Sequence, residues 1–170
     1  MSRQTAPKSI GLRTYHITFT TYGSWLLGDA RGSTRHGGIY IYPDPALEEQ
    51  MRERCNYDEI KLSEEARRVA YKGILEEARF RNWKIHVLNV LAKHVHVLVT
   101  APCETSSSIV LARIKRGATE ALKRAGYFKD RQIWTRSGDI KVINTPGYFH
   151  RVYNYILNGQ TSKPFSYEEK

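Results

Sequence analysis

Two cysteines, Cys55 and Cys103, are too few and too widely spaced to build a zinc site or a disulfide framework in a chain of 170 residues. They suit structural roles in a reducing compartment. Long apolar runs are missing too: no window approaches the ~20 residues of a membrane-spanning helix. Met1 to Gly11 hold no apolar stretch of the kind that marks a secretory leader, so the expectation is a cytoplasmic protein with no membrane partner. There is no internal repeat and no low-complexity linker, which sets aside solenoids and strung modules. The length fits a single domain over 1–170, with about 1–11 (a frayed start over Met1 to Lys8) and 161–170 as flexible ends.

Acidic residues are the next shortage. Asp and Glu total 17 against 27 Lys and Arg, a net charge of +10. Such an excess favours polyanions, because each phosphate that a cation neutralises releases condensed counterions. Many basic proteins bind no nucleic acid, so charge alone does not decide the partner.

Period-two alternation through Thr14-Tyr15-His16-Ile17-Thr18-Phe19-Thr20 predicts a strand with Tyr15, Ile17 and Phe19 on one face. Gly23, Gly28, Gly32, Gly37 and Gly38 then mark a long irregular stretch to about Pro45. Ser63 caps a helix from Glu64 to about Phe80. Two β-rich runs follow, Lys84 to Leu91 and His94 to Ala101, and only Ala92-Lys93 separates them, as in a tight hairpin. Ser106 to Ser108 cap a second helix that Gly126 ends. Asp139 to Ile143 forms a last strand, and Thr145-Pro146 opens a third helix. The order is that of an α+β fold: a ferredoxin-like βαββαβ antiparallel sheet with helices on one face, plus an extra C-terminal helix.

His94-Val95-His96 is the most informative tripeptide. Residues i and i+2 of a strand project the same way, so both imidazoles leave one face while Val95, Val97 and Val99 leave the other. Two neutral nitrogen donors on one rigid strand can hold a divalent metal and leave positions open for substrate oxygens. The bland alternative is a pair of histidines satisfied by backbone carbonyls. The alternating histidines of the His-triad hydrolases need a third, and Leu98 stands in its place.

A metal that polarises a phosphodiester needs an attacking group. The C-terminal helix offers Tyr148, Tyr153 and Tyr155, any of which could form a phosphotyrosyl link. Tyr148, Val152 and Tyr155 also lie along one helical stripe, the spacing of core aromatics, so periodicity does not choose among them.

Leu91-Ala-Lys-His94-Val-His96-Val-Leu-Val99, followed by a helix and then Tyr155-Ile-Leu-Asn-Gly-Gln160, resembles the single-tyrosine HUH transposases. These include insertion-sequence and REP-associated tyrosine transposases. Tyr15 to Gly23, Trp25 to Gly32 and Ile133 to Gly138 fit the same pattern, so the likeness runs from about residue 13 to 160. It implies that His94 and His96 bind Mg²⁺ or Mn²⁺ and that Tyr155 attacks single-stranded DNA, leaving a 5′-phosphotyrosine and a free 3′-OH. It also implies a homodimer that recognises DNA hairpins, for which Arg113, Lys115, Arg116, Lys123 and Arg124 are the candidate contacts, with Arg67, Arg68 and Lys72 on the preceding helix. Two features depart from the family. Asn158 is followed by Gly159 rather than Pro, and Gln160 lies five residues after the tyrosine instead of four. At 100° per residue the fifth position swings off the tyrosine's side of the helix. Gln160 is the expected third ligand if Gly159 adopts a left-handed turn, with Asn158 as its rival.

The expected function is therefore a metal-dependent single-stranded DNA endonuclease and strand transferase acting at hairpin-flanked sites. The alternative is a domesticated, non-catalytic DNA- or RNA-hairpin-binding protein on the same scaffold; the intact His94, His96 and Tyr155 favour catalysis. A metal-dependent phosphodiesterase of small nucleotides would need no tyrosine and less positive charge. His16, His36, His86 and His150 receive no role; His16 shares a strand face with Thr18 and Thr20 and could approach the site, but it reads first as a satisfied surface histidine.

Overall fold

A computed structural model describes residues 11–35 and 37–165. Its elements in chain order are β1 (Leu12–Thr20), β2 (Ser33–Arg35), β3 (Ile39–Ile41), α1 (Pro45–Glu53), α2 (Glu64–Phe80), β4 (Lys84–Val90), β5 (His94–Pro102), α3 (Ser107–Arg124), β6 (Asp139–Ile143) and α4 (Pro146–Asn158). The expected frayed start over Met1 to Lys8 lies outside the described residues, as do His36 and residues 166–170. Among the described residues no helix is long and apolar enough to cross a membrane.

Four strands form an antiparallel sheet in the order β4-β5-β1-β6, which makes the fold α+β. β5 and β1 are the central pair. One sheet face presents Tyr15, Ile17, Phe19, Val95, Val97 and Val99 to α2 and α3, and these residues form the main core. Each β-branched or aromatic side chain fully buried there contributes about 1.5–3 kcal/mol. α2 and α3 approach so closely that a Cβ on Gly73 would sit 2.4 Å from the Gly117 carbonyl oxygen. On the opposite face α4 covers a smaller cluster, with Val152 and Ile156 against Val87, Leu98 and Ile143.

One irregularity decides what faces α4. β4 carries a bulge between Ile85 and Val87, so Val87 rather than His86 pairs with Leu98, and Asn89 falls opposite His96. A one-residue slip exchanges the two faces of a strand. Here it brings a polar residue onto the face that carries the histidine pair.

The glycine-rich stretch is not wholly irregular. It contains the β2–β3 hairpin and leads into α1, whose N-cap Asp44 accepts hydrogen bonds from the amides of Ala46 and Leu47, with Pro45 in the first turn. Part of the expected flexible end is also held. Ser162 receives hydrogen bonds from Asn89 and Arg67, and Phe165 packs against Tyr71 beneath the Arg68 guanidinium.

Candidate functional site

β1 and β5 pair so that Thr18 lies opposite His96 and Thr20 opposite His94. Side chains opposite each other in an antiparallel pair share a face. Hence His16, Thr18, His94 and His96 gather on the α4 side of the sheet. The His94 and His96 ring centroids are 5.0 Å apart, and the rings are nearly perpendicular.

α4 places Tyr155 over this group. Its N-terminus is set by Thr145, whose side chain accepts from the Tyr148 amide, and by Pro146 in the first turn. Its C-terminal end is pinned by Asn89, whose amide donates to the carbonyls of Ile156 (3.3 Å) and Ser162 (2.8 Å). With Val152 and Ile156 buried beneath the helix, Tyr155 projects toward the histidines and stays 49 % exposed. Its ring centroid lies 5.4 Å from that of His96 and 6.4 Å from that of His16. Tyr148 and Tyr153 instead pack into the α4 cluster with Phe149. Of the three tyrosines, Tyr155 is the one at the histidine pair.

Gln160 also lies at the pair: its Nε2 donates to the Tyr155 carbonyl at 3.4 Å, and its side chain favours the protonated form of both His94 and His96, against their burial. The route differs from the expected left-handed turn. Gly159 has φ −88° and ψ 7°, and its N–H continues the helical pattern to the Tyr155 carbonyl. Glycine is required there for space instead, since a Cβ would meet that carbonyl oxygen at 2.8 Å and the Tyr155 ring at 3.0 Å. No hydrogen bond or ring contact joins Asn158 to the pair among the described residues.

The electrostatics keep the imidazoles neutral. Burial, then the neighbouring His94 and His16, push His96 down to about 3. Burial lowers His94 and His16 as well, with Arg31 acting on the first and Lys141 on the second. Thr18 Oγ1 lies 2.9 Å from His96 Nδ1 and 3.3 Å from His16 Nε2. A hydroxyl donates or accepts, so it satisfies Nδ1 in either tautomer. With Nδ1 protonated and donating to Thr18, Nε2 of His96 keeps its lone pair for a ligand.

Among the described residues no three of His, Cys, Asp and Glu gather into a metal-holding group, so a metal here would depend on Gln160. Two imidazole nitrogens and one amide oxygen form an uncharged donor set. Mixed nitrogen and oxygen donors fit Mn²⁺ better than Mg²⁺, which prefers oxygen alone.

The basic residues lie elsewhere. Arg113, Lys115, Arg116, Lys123 and Arg124 belong to α3, and Arg67, Arg68 and Lys72 to α2, both on the sheet face away from the histidines. Lys115 Nζ donates to the carbonyls of Thr135, Arg136 and Ser137, which commits its three protons, and Arg116 pairs with Glu120 at 2.6 Å. Arg31 and Lys141 are the cations whose charge acts on the histidines. His16 is buried beside His96, not a surface residue, with the two rings stacked at 5.5 Å. Thr18 and Asn89 were not singled out from the sequence. The signal for Asn89 was a lone amide in the apolar run Val87 to Leu91.

Two solved structures are similar to this chain as a whole. A REP-associated tyrosine transposase bound to a REP hairpin is 20 % identical, covers 94 % of this chain and 72 % of its own, and has a TM-score of 0.48. A candidate transposase from Deinococcus radiodurans R1 is 12 % identical, covers 94 % of this chain and 99 % of its own, and has a TM-score of 0.52. This chain has the fold of that Deinococcus protein. No family model matches the sequence, and no curated protein does.

Proposed function

We propose that the protein is a transposase-type enzyme that cuts and rejoins single-stranded DNA through a covalent 5′-phosphotyrosine on Tyr155. The observation that carries this reading is the convergence, on one sheet face, of an exposed tyrosine with two neutral histidines, with Gln160 close enough to act on both imidazoles. The fold shared with a candidate transposase supports it.

The Tyr155 hydroxyl gives up its proton as its oxygen attacks phosphorus in line with the bond to the 3′ oxygen. The P–O3′ bond breaks, the departing 3′ oxygen takes up a proton, and the phosphoryl group stays on Tyr155 with the 5′ end of the strand. A phosphodiester is exchanged for a phosphodiester, so a 3′-OH can reverse the step on the same or another strand without ATP. His94, His96 and Gln160 would hold the Mn²⁺ or Mg²⁺, and the ion, when bound, draws charge from the non-bridging phosphate oxygens. Thr18 partners Nδ1 of His96, which orients that ring, and Asn89 holds the helix end that carries Tyr155 and Gln160.

Labelled single-stranded hairpin DNAs incubated with the wild type and with Tyr155→Phe, with and without Mn²⁺ or Mg²⁺, test this on a denaturing protein gel. A metal-dependent DNA–protein adduct that disappears in Tyr155→Phe is the expected result. An adduct that survives in the variant overturns the assignment of Tyr155, and hairpin binding without any adduct overturns the catalytic reading. Homodimer formation and hairpin recognition belong to the same proposal. Light scattering should give twice the mass of the chain, and hairpins should compete better than unstructured strands.

A further inference from the structure

The loop that follows β1 holds one tryptophan out of the core and fixes it there. Trp83 and Trp134 are buried, whereas Trp25 is 42 % exposed. Its indole Nε1 donates to the Gly32 carbonyl at 2.7 Å, so the polar edge is satisfied and the ring cannot swing. The Arg31 guanidinium lies 4.5 Å from the ring centroid. Arg31 is held in turn by both oxygens of Asp29, at 2.7 and 2.6 Å, and by the Ser24 carbonyl at 2.9 Å. On the far side of Gly32 the Tyr40 hydroxyl packs so closely that a Cβ on Gly32 would overlap it. Tyr40 is itself exposed and meets the ring of Tyr42, also exposed, at 5.1 Å. Three exposed aromatic rings and a guanidinium plane therefore follow one another along the loop and its hairpin.

This surface adjoins the histidine pair. The Thr21 N–H donates to the Lys93 carbonyl at 2.8 Å, and the hydroxyl of Ser24, whose carbonyl holds Arg31, lies 3.2 Å from the same oxygen. Lys93 immediately precedes His94. Rigid aromatic and guanidinium faces are what unpaired bases stack on, and stacking tolerates any base because every base has a π face. A core role would bury the indole, and a flexible surface role would not need four hydrogen bonds to hold it and its cation.

We propose that Trp25 and Arg31, continued by Tyr40, form a stacking platform for unpaired bases of single-stranded DNA beside the His94 end of the site. The platform rests on the proposed function for the identity of its substrate, and it extends that reading by saying where the strand lies. Its place next to a site for phosphodiester exchange, in a chain of net charge +10, favours a nucleic acid strand over other aromatic ligands.

The test needs no cleavage. A short single-stranded oligodeoxythymidylate is titrated into the full chain in EDTA while tryptophan fluorescence is followed. With Trp83 and Trp134 buried, quenching reports Trp25. Quenching is expected in the wild type and equally in Tyr155→Phe. In Trp25→Phe the signal should vanish while anisotropy of a labelled strand shows binding retained. Trp25→Ala should weaken binding roughly 5- to 150-fold, and a strand with abasic residues should bind the unaltered protein more weakly by a similar factor, which covers the case of a poorly folded variant. Equal affinity of Trp25→Ala and wild type, equal affinity for the abasic strand, or no strand binding at all overturns the platform. A changed oligomeric mass in Trp25→Ala with unchanged strand affinity also overturns it and assigns the surface to contacts between copies. Adduct formation is read separately: quenching without an adduct removes the catalytic reading alone, and an adduct without quenching removes the platform alone.

Discussion

Lowering the pH from 7 to 5 should destabilise this protein through its buried histidines. His96 ordinarily titrates at 6.5 and is pushed down to about 3 in the fold. In the unfolded chain the imidazole takes up a proton as the pH falls through 6.5, while the native imidazole stays neutral until about 3. Between those values the unfolded state binds more protons, so stability is greatest above 6.5 and declines as the pH falls toward 3. At pH 5 the unfolded imidazole is about 1.5 pH units past its midpoint. At about 1.4 kcal/mol per unit, His96 alone should cost about 2 kcal/mol. His16, His86 and His94 are shifted the same way and add to the loss. Asp29, held low by Arg31, contributes with the same sign only below about pH 4, so the window from 7 to 5 belongs to the histidines. Urea denaturation at both pH values in EDTA measures the effect, and His96→Gln should shrink it by about 2 kcal/mol. A wild type equally stable at pH 7 and 5 would refute the claim that these imidazoles are buried and neutral.

Three further outcomes follow from the packing. Thr18→Val keeps the shape but removes the hydroxyl on His96 Nδ1, and Mn²⁺ affinity measured by calorimetry should fall about 10- to 100-fold; unchanged affinity would mean that another group sets the tautomer. Gly73→Ala gains about 1 kcal/mol of helix propensity yet drives a methyl into the Gly117 carbonyl, so denaturation should show a net loss of about 1–3 kcal/mol. A more stable variant would show that α2 and α3 can part freely. Asn89→Ala leaves the carbonyls of Ile156 and Ser162 without their donor and should cost about 1–3 kcal/mol. It should also slow adduct formation more than it weakens strand binding, and an unchanged adduct rate would separate the helix end from the chemistry.

Most of the fold was legible because its signals are local. Ser63, Ser106 and Thr145 cap the helices as their side-chain chemistry requires, and period two marks β1 and β5. The stretch from Gly23 to Pro45 holds more structure than its glycines signal, although all five have positive φ. Several also serve as close-approach points, as where Gly28 lies against the start of α1 and Gly32 against Tyr40. The Asp44-Pro45 start of α1 carried a readable signal, a capping carboxylate followed by a residue that suits the first turn. The bulge at His86 was not readable: the run Lys84 to Val90 has no glycine or other mark of it, and only the pairing with β5 shows which residues face α4.

The site was legible in its donors and not in what arranges them. His94 and His96 follow from strand alternation, but periodicity left Tyr155 level with two other tyrosines until α4 showed which one the core leaves exposed. The helical-wheel argument against Gln160 fails for a physical reason: it treats the side chain as a vector from an ideal helix, and the helix ends one residue earlier. Beyond Gly159 the chain must turn so that Ser162 can meet Asn89, and that turn leaves Gln160 beside the Tyr155 carbonyl and close enough to act on both imidazoles. The glutamine is thus placed by a hydrogen bond from the neighbouring strand, through a residue that faces the site only because β4 is bulged. The charge of the chain does not by itself place a strand. Summed over the sequence it points to α3, but α3 packs across the sheet from the histidines and one of its lysines is committed to carbonyls. On the proposed reading a strand crossing the pair passes Arg31, which Asp29 pairs, Lys141, which Asp139 pairs at 3.4 Å, and the exposed rings of the glycine-rich loop, so contacts there should be tested beside those of α3.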